Sequence, residues 1–178
     1  MTILFADFVG FTTLSERLSP SELVTEIDSY FRAFDRICQT YGLEKIKTIG
    51  DAYLAVGGMP VENKAAAADV VRAAPAMRDE VDAINELRPD RSLAVRIGLH
   101  TGDVVAGVVG TMKFQYDVWG DAVNTAARME QNSEPGKVNI SQTTFDLVRD
   151  SFKTRHRGRI EAKNKGLMDM YFVDHAGQ

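Results

Sequence analysis

The sequence predicts an α+β fold. It is a ferredoxin-like βαββαβ palm core with additional C-terminal strands and helices, the helices packed on one face of a mainly antiparallel sheet. Three observations carry that expectation. The hydrophobic period switches between 2 and 3.6 in the order strand, helix, strand, strand, helix, strand. Gly50-Asp51 sits between two apolar runs, a tight-hairpin signal, because glycine supplies the positive φ such a turn needs. A chain of 178 residues, 44% of them hydrophobic, supports one core that buries about two-thirds of the unfolded surface.

The elements follow in order. Residues 2–6 form a short apolar, β-branched strand that stops at Asp7, and residues 7–13 read as a turn of small and polar residues. A helix opens at Ser19-Pro20, with Ser as cap, Pro at the first helical position and Glu22 three residues after the cap. Its inner stripe is Leu23, Ile27, Tyr30, Phe31, Phe34, Ile37, Cys38 and Tyr41, and Gly42 ends it. Cys38, lying on that stripe, reads as inert packing. Residues 43–49 and 52–56 are the hairpin strands. Residues 62–87 form a second helix that Pro75 should kink or split.

A fourth strand runs from about 93 to 100, and residues 104–109 are expected to make a second hairpin with it. An arm (110–116), a helix (121–131), a strand (137–140) and a helix (142–150) follow. Two closing strands flank Lys163-Asn164-Lys165-Gly166. Trp119 is read as packing, and His100 as a satisfied structural residue rather than a general base.

Composition narrows the function. Lys and Arg number 21 against 25 Asp and Glu, a net charge of −4, and no basic block stands out. Sequence-independent nucleic-acid binding is therefore not expected. The single cysteine excludes a disulfide framework or a thiolate metal cage and points to a cytoplasmic location. Apolar runs fall far short of the roughly 20 residues needed to span a bilayer, so no membrane contact is expected from residues 1–178. A strand at the second or third residue suggests that this single domain is a fragment. Its parent protein is open to being membrane-anchored or fused to a sensor domain.

Candidate chemistry gathers at one sheet end. In a βαββαβ sheet the first and second strands run the same way, with the third returning between them. Asp7, after the first strand, therefore lies beside the Gly50-Asp51 hairpin. Two carboxylates there form a hard-oxygen site suited to two divalent metal ions, Mg2+ or Mn2+. The turn Val9-Gly10-Phe11-Thr12 leads toward a helix, where backbone N–H groups can cradle phosphate. On spacing alone, ordinary turn roles for Asp7 and Asp51 remain the simpler reading.

Three blocks change that balance: Phe5-Ala6-Asp7-Phe8-Val9-Gly10-Phe11-Thr12, Glu44 through Tyr53 containing Lys47 and Gly50-Asp51, and Tyr116-Asp117-Val118-Trp119-Gly120-Asp121 continuing through Asn124 to Arg128-Met129. Together they resemble the class III adenylyl/guanylyl cyclase catalytic domain over essentially the whole chain, and most of all the subgroup of mammalian transmembrane and mycobacterial adenylyl cyclases. The resemblance implies that Asp7 and Asp51 hold the metals, with the Phe8 carbonyl as a further ligand. It implies that Lys47 and Asp117 select the purine, that Asn124 orients the ribose, and that Arg128 stabilises charge on the transferring phosphate. Arg96 and Lys163 would hold the β- and γ-phosphates, although Lys163-Asn164-Lys165-Gly166 departs from the family's Lys-Gly-Lys-Gly and leaves Lys165 as the other choice.

A Lys donor and an Asp acceptor match adenine, which offers an acceptor at N1 and a donor at N6. The implied reaction is ATP to 3′,5′-cyclic AMP and pyrophosphate. Lys47 and Asp51 are four residues apart around one turn, a span of up to about 13 Å, which is awkward for reaching both ends of one nucleotide. The resemblance instead implies a homodimer with composite sites. The alternatives are a non-catalytic nucleotide-binding regulatory partner domain and a guanylyl cyclase. A diguanylate cyclase is disfavoured, because Gly57-Gly58-Met59 lacks the acidic residues that family places there.

Overall fold

The first strand runs past its expected end. In the computed structural model, which describes residues 1–58, 65–110 and 115–176, β1 spans Thr2–Val9 and a short helix, α1 (Phe11–Arg17), follows where a turn was expected. Phe11, Leu14 and Leu18 recur at helical spacing, and Leu14 is buried. That apolar period outweighs the small, polar composition of the segment. Helix α2 (Pro20–Tyr41) begins as predicted: Ser19 and Glu22 complete a capping box, and Gly42 closes it at φ 70°.

Strands β2 (Glu44–Ile49) and β3 (Ala52–Gly57) form the expected hairpin, with Ile49 opposite Ala52 and Gly50 at φ 61°. Helix α3 (Ala65–Leu87) continues through Pro75 without a break. The residues around the proline, Ala73, Ala74 and Met77, are fully buried, so packing holds the turn that loses a hydrogen bond. Residues 62–64 of the expected helix lie outside the described residues.

The remaining elements are β4 (Ala94–Thr101), β5 (Val105–Val109), β6 (Gln115–Trp119), α4 (Asp121–Gln131), β7 (Val138–Ser141), α5 (Gln142–Val148), β8 (Phe152–Ala162) and β9 (Gly166–Ala176). One seven-stranded sheet has the order β2-β3-β1-β4-β7-β9-β8, and only the β4–β7 pair is parallel among its recorded pairings. The fold is thus the expected α+β class with a mainly antiparallel sheet. One pairing differs from expectation. β5 joins β6, with Val105 opposite Trp119, in a separate two-stranded sheet. β4 already has β1 on one edge and β7 on the other, so it has no free ladder to offer β5.

Alternation along β1 sorts the molecule into two faces. Leu4, Ala6 and Phe8 join α2 and α3 residues in the main core, where Phe8 packs on Tyr30 and Phe34 with ring centroids 5.0 and 5.9 Å away. Ile3 and Phe5 face the other way, against Val118 of β6 and Ala122 and Ala126 of α4. Asp7 follows on that second side. At Gly98 the backbone of α4 lies directly on β4: a Cβ there would sit 1.9 Å from Glu130 N. This close crossing carries the last turn of α4 to the sheet end where Asp7 lies.

Candidate active site

Register builds the first cluster. Asp7 pairs with Arg96 across β1–β4 and with Ala52 across β1–β3, which brings Asp51 alongside. Asp7 Oδ2 accepts a hydrogen bond from Arg96 Nη2 at 2.9 Å. Arg96 Nε lies 3.0 Å from Oε1 of Glu130, on the last turn of α4. Burial raises the Asp51 carboxyl above its ordinary range, and the neighbouring Asp7 charge raises it further. Glu130 is pushed up to about 7, first by burial; Arg96 opposes this, and the charges of Asp7 and Asp51 add to it.

Asp7 and Asp51 therefore form a carboxylate pair whose mutual repulsion the Arg96 charge partly offsets, a setting receptive to a further cation. The donors fit a hard-oxygen metal such as Mg2+ or Mn2+. Among the described residues no three His, Cys, Asp or Glu side chains gather as a metal cluster, so further oxygens must come from backbone or substrate. Phe8 has only its backbone to offer such a site, since its ring is committed to the core. Gly10, at φ 89°, turns the chain from β1 into α1, and Phe11 and Thr12 open that helix, where first-turn N–H groups lack intrahelical acceptors.

A second cluster lies between β2 and β6. Lys47 Nζ is ion-paired with Asp117 Oδ2, with side chains 27% and 13% exposed. Asp117 Oδ1 accepts from the Val118 N–H at 2.8 Å. The pair stands assembled: both Asp117 oxygens already hold a donor, and what each group has left for a ligand is the further lone pairs of the carboxylate and the remaining N–H donors of the ammonium.

The remaining candidates stand apart from these clusters. On α4, Ala122, Thr125, Ala126, Met129 and Glu130 are buried. At 100° per residue, Asn124 and Arg128 fall on the opposite side of the helix. Asn124 is exposed, and Arg128 Nη1 donates to Gln131 Oε1. Lys165 is ion-paired with Asp121 at the start of α4, whereas Lys163 is exposed and makes no ion pair among the described residues. Lys163 is thus the less committed of the two lysines.

Glu130 escaped the sequence reading. Its signal, a carboxylate two residues after Arg128 and on the opposite helix face, acquires meaning only once Gly98 brings α4 onto β4. Trp119 is not simply packing; it is 40% exposed and shares the β5–β6 hairpin with Val105, Val108 and Val109, each at least 59% exposed. His100 is structural as expected: Nδ1 bonds Ser141 Oγ at 2.7 Å, and burial pushes it down to about 4, so the ring is neutral. An open cavity of about 450 Å3 lined by Glu22, Glu26, Arg88 and Arg91 shares no residue with these clusters.

The arrangement, a carboxylate pair beside an arginine with a separate Lys–Asp pair, is suited to a triphosphate at one end and a heterocycle at the other. The family model described as "Adenylate and Guanylate cyclase catalytic domain" matches residues 1–175. The chain belongs to this family. The cyclase domain is 40% identical over 177 residues to an adenylate cyclase of Mycobacterium tuberculosis, covering 97% of this chain and 39% of that protein. It is 41% identical over 177 residues to human atrial natriuretic peptide receptor 2, covering 97% of this chain and 17% of the receptor. The guanylate cyclase domain of RhGC from Catenaria anguillulae in complex with GTP superposes with a TM-score of 0.91 at 34% identity, covering 99% of this chain and 96% of that one.

The cyclase domain spans about two-fifths of the length of its mycobacterial relative. It is a cyclase catalytic domain of adenylyl or guanylyl type, and overall likeness does not sort the two. Among the described residues no helix is long and apolar enough to cross a membrane.

Proposed function

We propose that the domain is an adenylyl cyclase, a lyase that converts ATP to 3′,5′-cyclic AMP and pyrophosphate at composite sites of a cytoplasmic homodimer. The observation that carries the substrate assignment is the ion pair between Lys47 and Asp117. Lys47 Nζ donates to adenine N1, and Asp117 accepts from the N6 amino group. Guanine presents the opposite pattern at these positions and would set donor against donor.

Asp7 and Asp51, with the Phe8 carbonyl, would hold two divalent ions, which when bound would lower the pKa of the ribose 3′-hydroxyl and neutralise phosphate charge. Asn124 orients the ribose so that O3′ lies in line with the α-phosphorus. A bond forms from O3′ to that phosphorus, the bond to the β-bridging oxygen breaks, and the 3′ proton passes to solvent. Arg128 meets the charge that builds on the α-phosphate, while Arg96 and Lys163 hold the departing pyrophosphate and Gly10, Phe11 and Thr12 cradle phosphate oxygens through backbone N–H groups.

Two features support the composite site. Asn124 and Arg128 face away from the side of α4 that touches the sheet, so a nucleotide bound at Asp7 of the same chain is poorly placed for them. The apolar β5–β6 hairpin offers a surface of the kind that a second copy covers. Residues 1–178 are proposed as one catalytic domain of a longer protein.

The test is direct: purified protein is incubated with ATP or GTP, with Mg2+ or Mn2+, and with a chelator. Cyclic AMP from ATP, abolished by chelation and by Asp7→Ala or Asp51→Ala, is the expected result. Cyclic GTP as the main product would reassign the substrate, and no cyclic product from a folded dimer would make the domain a non-catalytic partner.

A further inference from the structure

Arg96 Nε and Glu130 Oε1 are 3.0 Å apart, yet both are buried and neither makes an aligned hydrogen bond among the described residues. Buried polar groups are rarely left so. The cause lies at the other end of the guanidinium, where Nη2 is drawn onto Asp7 Oδ2 at 2.9 Å. In this position Nη2 is held on one Asp7 oxygen and Nε–H is left off the line to Glu130.

Glu130 itself is fixed. Its backbone sits against Gly98, where a Cβ would lie 1.9 Å from Glu130 N. The carbonyl of the preceding Met129 is pinned by Asn139 Nδ2 at 2.8 Å. Of the two partners, Arg96 is the one able to move, because its end is 29% exposed while the Glu130 side chain is 8% exposed.

We propose that Glu130 is the positioning residue of a two-position arginine. In one position Arg96 lies on Asp7. In the other, with Asp7 committed to its cation, Arg96 turns until Nε–H points straight at Glu130 Oε1 and both terminal nitrogens face the triphosphate. Glu130 never touches substrate; it determines where Arg96 points. This inference rests on the cyclase reading above for the identity of the triphosphate, and on the side-chain geometry alone for the movement.

The experiment labels arginine with 15N and follows the Arg96 Nε–Hε signal, assigned by its disappearance in Arg96→Lys. Addition of MgCl2 with sodium pyrophosphate is expected to shift and sharpen that signal as the bond to Glu130 aligns, and Glu130→Gln, which keeps an acceptor oxygen but loses the carboxylate charge, is expected to weaken the change. An Arg96 signal that ignores Mg2+ and pyrophosphate in the wild type, or that responds equally in E130Q, overturns the proposal. Should E130Q not fold, Glu130→Asp decides, since its carboxylate is one methylene short: loss or weakening of the change supports the pivot, and an unaltered response refutes it.

A kinetic arm adds that E130Q raises KM for ATP about tenfold, the scale of one charged hydrogen bond, with a smaller effect on kcat. In an Arg96→Ala background E130Q should then do nothing more; additive losses would instead mean that Glu130 acts independently of Arg96. The spectroscopic arm needs no turnover. A domain that makes no cyclic nucleotide but shows the Glu130-dependent movement loses the catalytic reading and keeps this one.

Discussion

Gly98→Ala is the substitution whose consequence the structure specifies most closely. The added methyl would lie 1.9 Å from Glu130 N and 2.4 Å from Glu130 Cα, and both are helix backbone with no rotamer to escape into. To restore the 3.4 Å of ordinary contact, α4 must retreat by about 1.5 Å. Forcing a methyl into a packed contact costs about 1–3 kcal/mol, and at roughly 2–4 °C per kcal/mol for a chain of this size the melting temperature should fall by about 2–12 °C. The same retreat displaces Glu130 and Arg128 together, and misplacement by 1 Å costs on the order of 100-fold in rate. Thermal melting and a cyclic-nucleotide assay on one preparation read both effects. A variant that melts with the wild type would refute the contact. One that melts early yet turns over at full rate would show that the position of α4 does not govern the chemistry.

Other expectations follow from the same geometry. Asp7→Ala and Arg128→Ala should each be inactive alone, yet their mixture should recover about a quarter of wild-type activity, because half the dimers are mixed and each has one intact site; a silent mixture containing proven heterodimers would eliminate shared sites. Lys47→Glu with Asp117→Gly should lose ATP cyclisation and shift relative use toward GTP, and an unchanged preference for ATP would mean that other residues read the base. His100, held neutral down to about pH 4 in the fold, takes up its proton near 6.5 once unfolded. The unfolded state therefore binds more protons between those values, and stability falls as pH drops through that window by at most ~3 kcal/mol from this group. Denaturant titrations should show a shallower fall in His100→Asn, and identical pH slopes would remove His100 as the cause.

What was legible in the sequence was local. The Ser19–Glu22 capping box, the Gly42 stop and the Gly50-Asp51 hairpin each depend on residues within a few positions, and all three are in place. The pairing of β5 with β6 was not legible, because it depends on β7 having taken the free edge of β4. Pro75 was over-weighted, since a local penalty was opposed by burial on both sides of it. At the candidate site, the motif residues Asp7 and Asp51 lie together, and so do Lys47 and Asp117. Glu130 was not legible, since the contact that gives it a role spans β4 and α4 and depends on a glycine with no chemistry of its own.

On the proposed reading, in which Lys47 and Asp117 read the base, the pair also bears on how nucleotide preference can drift within this family. Adenylate and guanylate cyclases lie at nearly the same identity to this chain, 40% and 41%, so overall identity does not sort the two activities. Replacing either member alone leaves the other charge, 27% or 13% exposed, without its counter-charge, and such an orphan weakens the fold as well as the site. An ancestor changing purine would pass through that handicapped intermediate unless both codons changed together or a third residue lent a temporary partner. Read that way, the ion pair would act as a ratchet on descent: lineages would persist with one base, and crossings between them would be few and abrupt.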